Sequence, residues 1–203
     1  MNHPVNDEAS ERPTGRDVAR WRKAERERLL ALRLGLSVQH RTELAQSMGE
    51  NLQELIGGGP GIIVSVYWPI RAEPDLRPWM RAASARGIRI ALPIALAVGQ
   101  PLVFREWRPD APMTRGLWNI PYPAEGPHIT PQVLVAPLVG FDAACYRLGY
   151  GGGFFDRTLA SIGGNPMVIG VGFPETSIPT IFPQAHDIPM SWIVTGAEAP
   201  RRR

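Results

Sequence analysis

Cysteine is nearly missing from this chain. Cys145 stands alone among 203 residues, so no intramolecular disulfide and no multi-cysteine metal cage can form. That usage fits a reducing cytosol. Long apolar runs are missing too: nothing approaches the roughly 18 residues a membrane span needs. The opening stretch MNHPVNDEAS has neither the basic start nor the apolar centre of a secretory signal. The expectation is a soluble, cytoplasmic protein that engages no membrane. Lysine is scarce as well, Lys23 being the sole example, so the excess of 22 Lys+Arg over 19 Asp+Glu is almost entirely arginine. These basic residues are dispersed, and the densest group is the terminal Arg201-Arg202-Arg203. Specific nucleic-acid recognition is therefore not expected, although guanidinium groups suit bidentate phosphate contacts.

What the chain has in abundance is backbone punctuation. It carries 21 glycines and 21 prolines, about a fifth of its length, against about 12% in ordinary proteins. With 44% hydrophobic and 20% charged residues the chain can bury a core, and its length suits one domain. Residues 1–14 are expected to be a disordered tail, 15–197 a single domain, and 198–203 a second disordered tail. From Asp17 to Leu34 the Arg, Glu, Ala and Leu content predicts a helix, followed by Ser37 as the cap of a second helix. That helix carries Leu44, Met48, Leu52 and Leu55 on one face. The run Gly57-Gly58-Gly59-Pro60-Gly61 ends it, and Ile62 to Tyr67 reads as a strand. Asp75 to Arg86 then reads as a helix and Ile88 to Leu92 as a strand, giving a β-α-β unit. Leu102 to Trp107 has a weaker pattern and suits an edge strand; Val133 to Ala136, Met167 to Phe173 and Trp192 to Thr195 are further strands, and Phe154 to Ser161 a further helix. The alternation predicts an α/β sheet with helices on both faces.

Chemistry concentrates between Pro137 and Arg157. Four glycines in five positions, Gly149, Gly151, Gly152 and Gly153, let backbone amides approach a ligand, and the helix start that follows favours negative charge. Phosphate is the natural occupant, with Arg147 and Arg157 supplying charge and Asp156 able to hold magnesium; a flexible turn is the alternative reading of the same glycines. Neither the Walker lysine pattern nor the dinucleotide fingerprint is present.

The run RLGYGGGFFDR, preceded by Pro137 and Phe141-Asp142, resembles the phosphate-binding loop of the 5-formyltetrahydrofolate cyclo-ligase family, also called methenyltetrahydrofolate synthetase. Weaker elements follow the family order: the basic helix at Arg22 to Arg26, Tyr67-Trp68-Pro69 with Glu73, Trp118-Asn119-Ile120-Pro121-Tyr122-Pro123, and the stretch from Phe173 through His186-Asp187 to Thr195. The resemblance spans about Arg22 to Thr195. It implies a three-layer α/β fold, with a mixed, mostly parallel sheet between helices, similar to the ribose-5-phosphate isomerase and CoA-transferase-like group. It also implies ATP-dependent cyclisation of 5-formyltetrahydrofolate to 5,10-methenyltetrahydrofolate, with Mg2+ as cofactor and release of ADP and phosphate. A monomer or weak homodimer is expected. A paralogue using ATP on another small molecule, or a non-catalytic nucleotide- or pterin-binding module, are the competing readings.

By the same resemblance, Arg22, Lys23 and Arg147 would be catalytic. Arg22, Lys23, Arg26, Arg147, Leu148, Gly149, Tyr150, Gly151, Gly152, Gly153, Phe154 and Phe155 would meet ATP, and Asp156 and Asp187 would hold magnesium. Arg26, Trp68, Glu73, Trp118, Tyr150 and Phe154 would meet the folate. Each has a plainer alternative: a solvated helix face for the basic residues, core or loop anchors for the two tryptophans, and stabilisation of a following helix start for Glu73. The chain departs from the family pattern in three places: Arg22 at the family's lysine, Cys145 at its glycine, and Thr176 where glutamine is common. Cys145 reads as a small packed side chain, since no histidine sits at a partner spacing.

Overall fold

The computed structural model describes residues 14–203, so all of the expected tail at 1–14 but Thr14 lies outside the described residues. The chain begins with two helices, α1 (Gly15–Gly35) and α2 (Val38–Ile56), capped by Thr14 and Ser37 hydroxyls that accept from Asp17 and His40 amides. Then come β1 (Ile63–Ser65), α3 (Arg77–Ala85), β2 (Arg89–Ile94) and β3 (Val103–Trp107). A small hairpin, β4 (Met113–Arg115) with β5 (Pro121–Pro123), precedes β6 (Val133–Pro137). A second hairpin pairs β7 (Gly140–Phe141) with β8 (Arg147–Leu148) and leads into α4 (Phe154–Ser161). The chain ends with β9 (Met167–Val171), β10 (Trp192–Val194) and β11 (Arg201–Arg202).

Seven strands form the main sheet in the order β11-β10-β9-β6-β1-β2-β3. The five inner strands are parallel, while β3 and β11 run antiparallel at the two edges. Strand alternation sorts the core into two layers. Val64, Ile90, Leu92, Val135 and Ile169 face Leu52, Trp79 and Met80 of α2 and α3, whereas Ala91, Leu134, Ala136 and Val168 face Phe155 and Leu159 of α4. From β1 the chain steps to β2 through α3, and from β6 it steps the opposite way to β9 through α4. Right-handed crossovers taken in opposite directions must place their helices on opposite faces, which yields the three-layer α/β arrangement expected.

One expectation is corrected here. Residues 198–203 are not a free tail throughout, because Arg201 and Arg202 pair with Ile193 and Trp192, and the Arg202 guanidinium lies 5.7 Å from the centre of the Trp192 ring. The bare edge of β10 and a half-buried indole give an arginine-rich end something to bind.

Candidate functional site

The sheet reverses its direction of growth between β1 and β6, and there the loops leaving their carboxyl ends part to opposite faces. Open α/β sheets place ligand sites at such a point. Helix α1 lies across these loops, burying Val18, Arg22, Leu29 and Arg33 on one stripe. Half of that stripe is arginine, so the helix inserts charge into the loops rather than only covering apolar surface.

Arg22 closes one end of the site. Its guanidinium donates to the Ile181 and Phe182 carbonyls, each at 2.9 Å, and grips both carboxylate oxygens of Asp187. A lysine ammonium, with three protons, could not serve four acceptors. Asp187 also accepts from the Gln184 amide at 2.6 Å. Burial pushes its pKa upward, but the bonds from Arg22 and Gln184 outweigh that and hold it below the usual aspartate value. Asp156 lies beside this pair: one oxygen accepts from Arg147 at 2.7 Å and the other from the Ile188 amide at 3.2 Å. The fold thus joins two carboxylates that are 31 residues apart. Among the described residues no cluster of three or more His, Cys, Asp or Glu forms a self-sufficient metal cage. Two carboxylates are nonetheless what magnesium takes when substrate phosphates and water complete its shell.

Arg147, on β8, is 8% exposed, and its second terminal nitrogen, Nη1, is buried without a hydrogen-bond partner. Burial lowers its pKa from the arginine norm, against the pull of Asp156. An unpartnered buried donor on a cation calls for an anion. The glycine loop lies alongside. Gly151 has φ +94°, and a Cβ there would sit 3.3 Å from the Arg26 guanidinium carbon. Gly153, at φ +64°, is the N-cap of α4 and offers no side-chain acceptor, leaving the first amides of that helix for a ligand. Arg26 reaches across from α1 to the Gly149 carbonyl at 2.7 Å. Asp142 shapes the preceding turn by accepting from the Ala144, Tyr146 and Ile181 amides. Cys145, at the crest of that turn, is fully buried with φ +64°, the left-handed conformation that a glycine adopts without strain.

On the other side of the switch point, Glu73 is 6% exposed. It accepts from the Ile70 amide at 2.8 Å and from the Tyr150 hydroxyl at 2.9 Å. Burial drives its pKa from 4.5 up to about 7, despite the opposing influence of Ile70, Arg33, Tyr150 and Arg71. It does not stabilise the start of α3. Asp75 does, accepting from the Arg77 amide at 3.0 Å.

The structure brings most of the expected residues together, with exceptions. Arg22, Arg26, Arg147, Asp156, Asp187 and the loop from Leu148 to Phe155 converge, and Tyr150 links them to Glu73. Lys23 is exposed, about 100° around α1 from Arg22. Trp118, 61% exposed, meets Phe154 edge-on at 5.3 Å and so stands at the mouth of the glycine loop. Trp68 packs against the α2/α3 layer beneath the Arg77 guanidinium, 5.3 Å from its ring centre. Thr176 is fully buried, its hydroxyl donating to the Phe173 carbonyl, and so faces inward. A groove of about 840 Å³ between α2 and α3, floored by Gly49 and Trp79, shares only Glu73 with this cluster. Sequence reasoning missed Arg33 and the turn-shaping role of Asp142. Arg33 could have been found from its register, since a basic residue four positions after Leu29 shares the buried stripe.

A model of the 5-formyltetrahydrofolate cyclo-ligase family matches residues 18–196. The chain belongs to that family. Its similarity to the 5-formyltetrahydrofolate cyclo-ligase of Haemophilus influenzae is 24% identity over 172 residues, covering 81% of this chain and 92% of the relative. The cyclo-ligase of Mycolicibacterium smegmatis is 28% identical over 173 residues, covering 78% and 89%. The solved 5,10-methenyltetrahydrofolate synthetase of Aquifex aeolicus superposes with a TM-score of 0.75 at 26% identity, covering 89% of this chain and 92% of that one. The Mycoplasma pneumoniae synthetase structure shares the fold, with a TM-score of 0.71 at 21% identity. In a cyclo-ligase family member the arginine cluster, the bare amides and the paired carboxylates form a single candidate active site.

Proposed function

We propose that this protein cyclises 5-formyltetrahydrofolate to 5,10-methenyltetrahydrofolate at the expense of ATP. The observation that carries this reading is the convergence of Arg22, Arg26, Arg147 and the uncapped start of α4 on one point, with a buried donor of Arg147 unpartnered. Such an arrangement suits a triphosphate. The formyl oxygen of the substrate is amide-like and a poor leaving group. Its attack on the γ-phosphorus expels ADP and turns it into a phosphate ester; N10 then adds to the activated carbon, closing the ring and giving up its proton to solvent, and loss of phosphate leaves the methenyl cation. Little acid-base chemistry is required, so the enzyme's work is positioning and charge neutralisation.

Each residue then has a task. Arg147 and Arg26 bind the phosphates, with the Gly149–Phe155 amides holding the oxygens. Arg22 and Arg147 turn part of their donor capacity from Asp187 and Asp156 to the phosphate, which frees the two carboxylates. Asp156 and Asp187 are the residues that would hold Mg2+, and the ion, when bound, neutralises charge across adjacent phosphates. Glu73, once ionised, accepts from pterin N–H groups, while Phe154 and Trp118, packed on each other, offer aromatic surface at the glycine loop and Trp68 packs beneath Arg77. Because Glu73 must be ionised to accept, folate affinity rises with pH through about 7. The test is to mix purified protein, ATP, Mg2+ and 5-formyltetrahydrofolate and follow near-UV absorbance. The methenyl product is expected, and well-folded protein that turns over ATP without forming it would overturn the assignment of substrate.

A further inference from the structure

Arg33 is the largest fully buried side chain outside the roles described above, at 1% exposure. It holds three separate segments at once. Nε donates to the Arg71 carbonyl at 3.0 Å in the loop after β1, and Nη1 to the Leu138 carbonyl at 3.2 Å just past β6. Nη2 donates to the Tyr150 hydroxyl at 2.6 Å in the glycine loop. The same hydroxyl donates a hydrogen bond to Glu73 at 2.9 Å. The loop fixed by the first bond is strained, with Arg71 at φ +46° and Ala72 at φ +59°, two successive non-glycine residues in the left-handed region immediately before Glu73. Strain of that kind persists only where surrounding contacts enforce it, and it clusters at functional sites.

We infer that Arg33 is a positioning residue that acts through the Tyr150 hydroxyl to aim and ionise Glu73, so that the loop cradling the nucleotide and the loop meeting the folate are set by one guanidinium. The inference rests on the reading of Glu73 as the folate's carboxylate partner. A cation one hydroxyl away favours the anionic carboxylate through a single bond to Oε1, and with the Ile70 amide on Oε2 each oxygen keeps one lone pair for substrate N–H groups. Arg22 instead contacts Asp187 directly, placing a donor on each oxygen, and the Gln184 amide adds a third bond. The groups facing Glu73 are Arg33 from α1, Tyr150 from the glycine loop, Arg71 from its own loop, and Tyr67 just past β1, which Asp75 also faces. Arg41 of α2 lines the groove that Glu73 closes. Of these, Arg33 and Tyr150 are joined to Glu73 by a continuous hydrogen-bond chain.

The experiment is a pH titration of the Glu73 carboxyl by carbon NMR on glutamate-labelled protein, run beside pH-dependent kinetics with 5-formyltetrahydrofolate and ATP. Arg33→Gln is expected to move the Glu73 midpoint up by about one pH unit. Its KM for the folate should rise about fivefold at pH 7 and recover by pH 8.5, with kcat at saturation little changed. A purely structural loss would instead lower kcat at every pH. Tyr150→Phe removes one oxygen from a half-exposed ring, keeps Arg33, and should shift the midpoint in the same direction. In the double variant the two shifts should not add, because both break one chain. An unchanged midpoint in Tyr150→Phe, or shifts that simply add, would overturn the inference. If the unsubstituted protein fails to bind the folate, the functional reading falls, while the NMR titration still decides the link from Arg33 to Glu73.

Discussion

Two carboxylates lie on either side of the switch point, and each answers to an arginine of α1. Asp187 touches Arg22 directly and is held below the ordinary aspartate pKa; Glu73 is separated from Arg33 by a phenol and titrates near 7. Burial raises both. Glu73 is the more deeply buried of the two, so burial carries it up, while direct contact with Arg22 and the Gln184 amide carries Asp187 down. A carboxylate gripped by a guanidinium fork stays ionised at every working pH but has little capacity left, whereas one reached through a hydroxyl stays available and becomes sensitive to protons near neutrality.

The sharpest way to break this contrast is at the gripped end. Asp156→Asn should lower Mg2+-dependent turnover about a thousandfold, since it removes a charge beside Asp187 and leaves Arg147 buried without its partner; a steady-state assay at saturating ATP and Mg2+ checks it, and an enzyme within tenfold of normal would remove Asp156 from the site. Arg33→Leu should cost about 3 kcal/mol of stability, because the buried Leu138 carbonyl and two partly buried acceptors lose their donor together. Urea denaturation at pH 7 measures this.

Glu73→Gln tests the other end through pH. The folded chain holds a proton on Glu73 up to about pH 7 that the unfolded chain releases near 4.5. Its contribution is fully favourable below 4.5 and is lost as pH rises through 7. Removing the charge should therefore stabilise the protein at pH 8 by about 3 kcal/mol and leave it unchanged at pH 4. Melting curves at the two pH values read the difference. The smallest effect is expected from Arg22→Lys, which keeps charge but cannot serve four acceptors. About a tenfold loss in kcat/KM for ATP follows if the fork matters, and none if charge alone suffices.

Local patterns were legible without any fold. Ser37 capped the second helix as its residue type and place foretold, and the glycine run before Phe154 opened α4 where a glycine cluster and a helix-forming stretch meet. The edge position of Val103–Trp107 agreed with its irregular alternation, because a strand with one neighbour needs less apolar surface. Short pairings were not legible. Gly140–Phe141 with Arg147–Leu148 spans two residues per strand, too few for a period, and Arg201–Arg202 has no apolar residue to signal burial.

By itself the sequence determined which segments coil, which extend, and where bare backbone and arginine fall along the chain, since those follow from side-chain periodicity and from glycine's missing Cβ. Only the tertiary structure decided which arginine meets which oxygen. Asp156 with Asp187, and Arg33 with Glu73 through Tyr150, are pairings made by loops that converge at one end of a sheet. Charge chemistry depends on separations of a few ångströms, and no local pattern along a chain encodes the distance between residues brought together from separate loops.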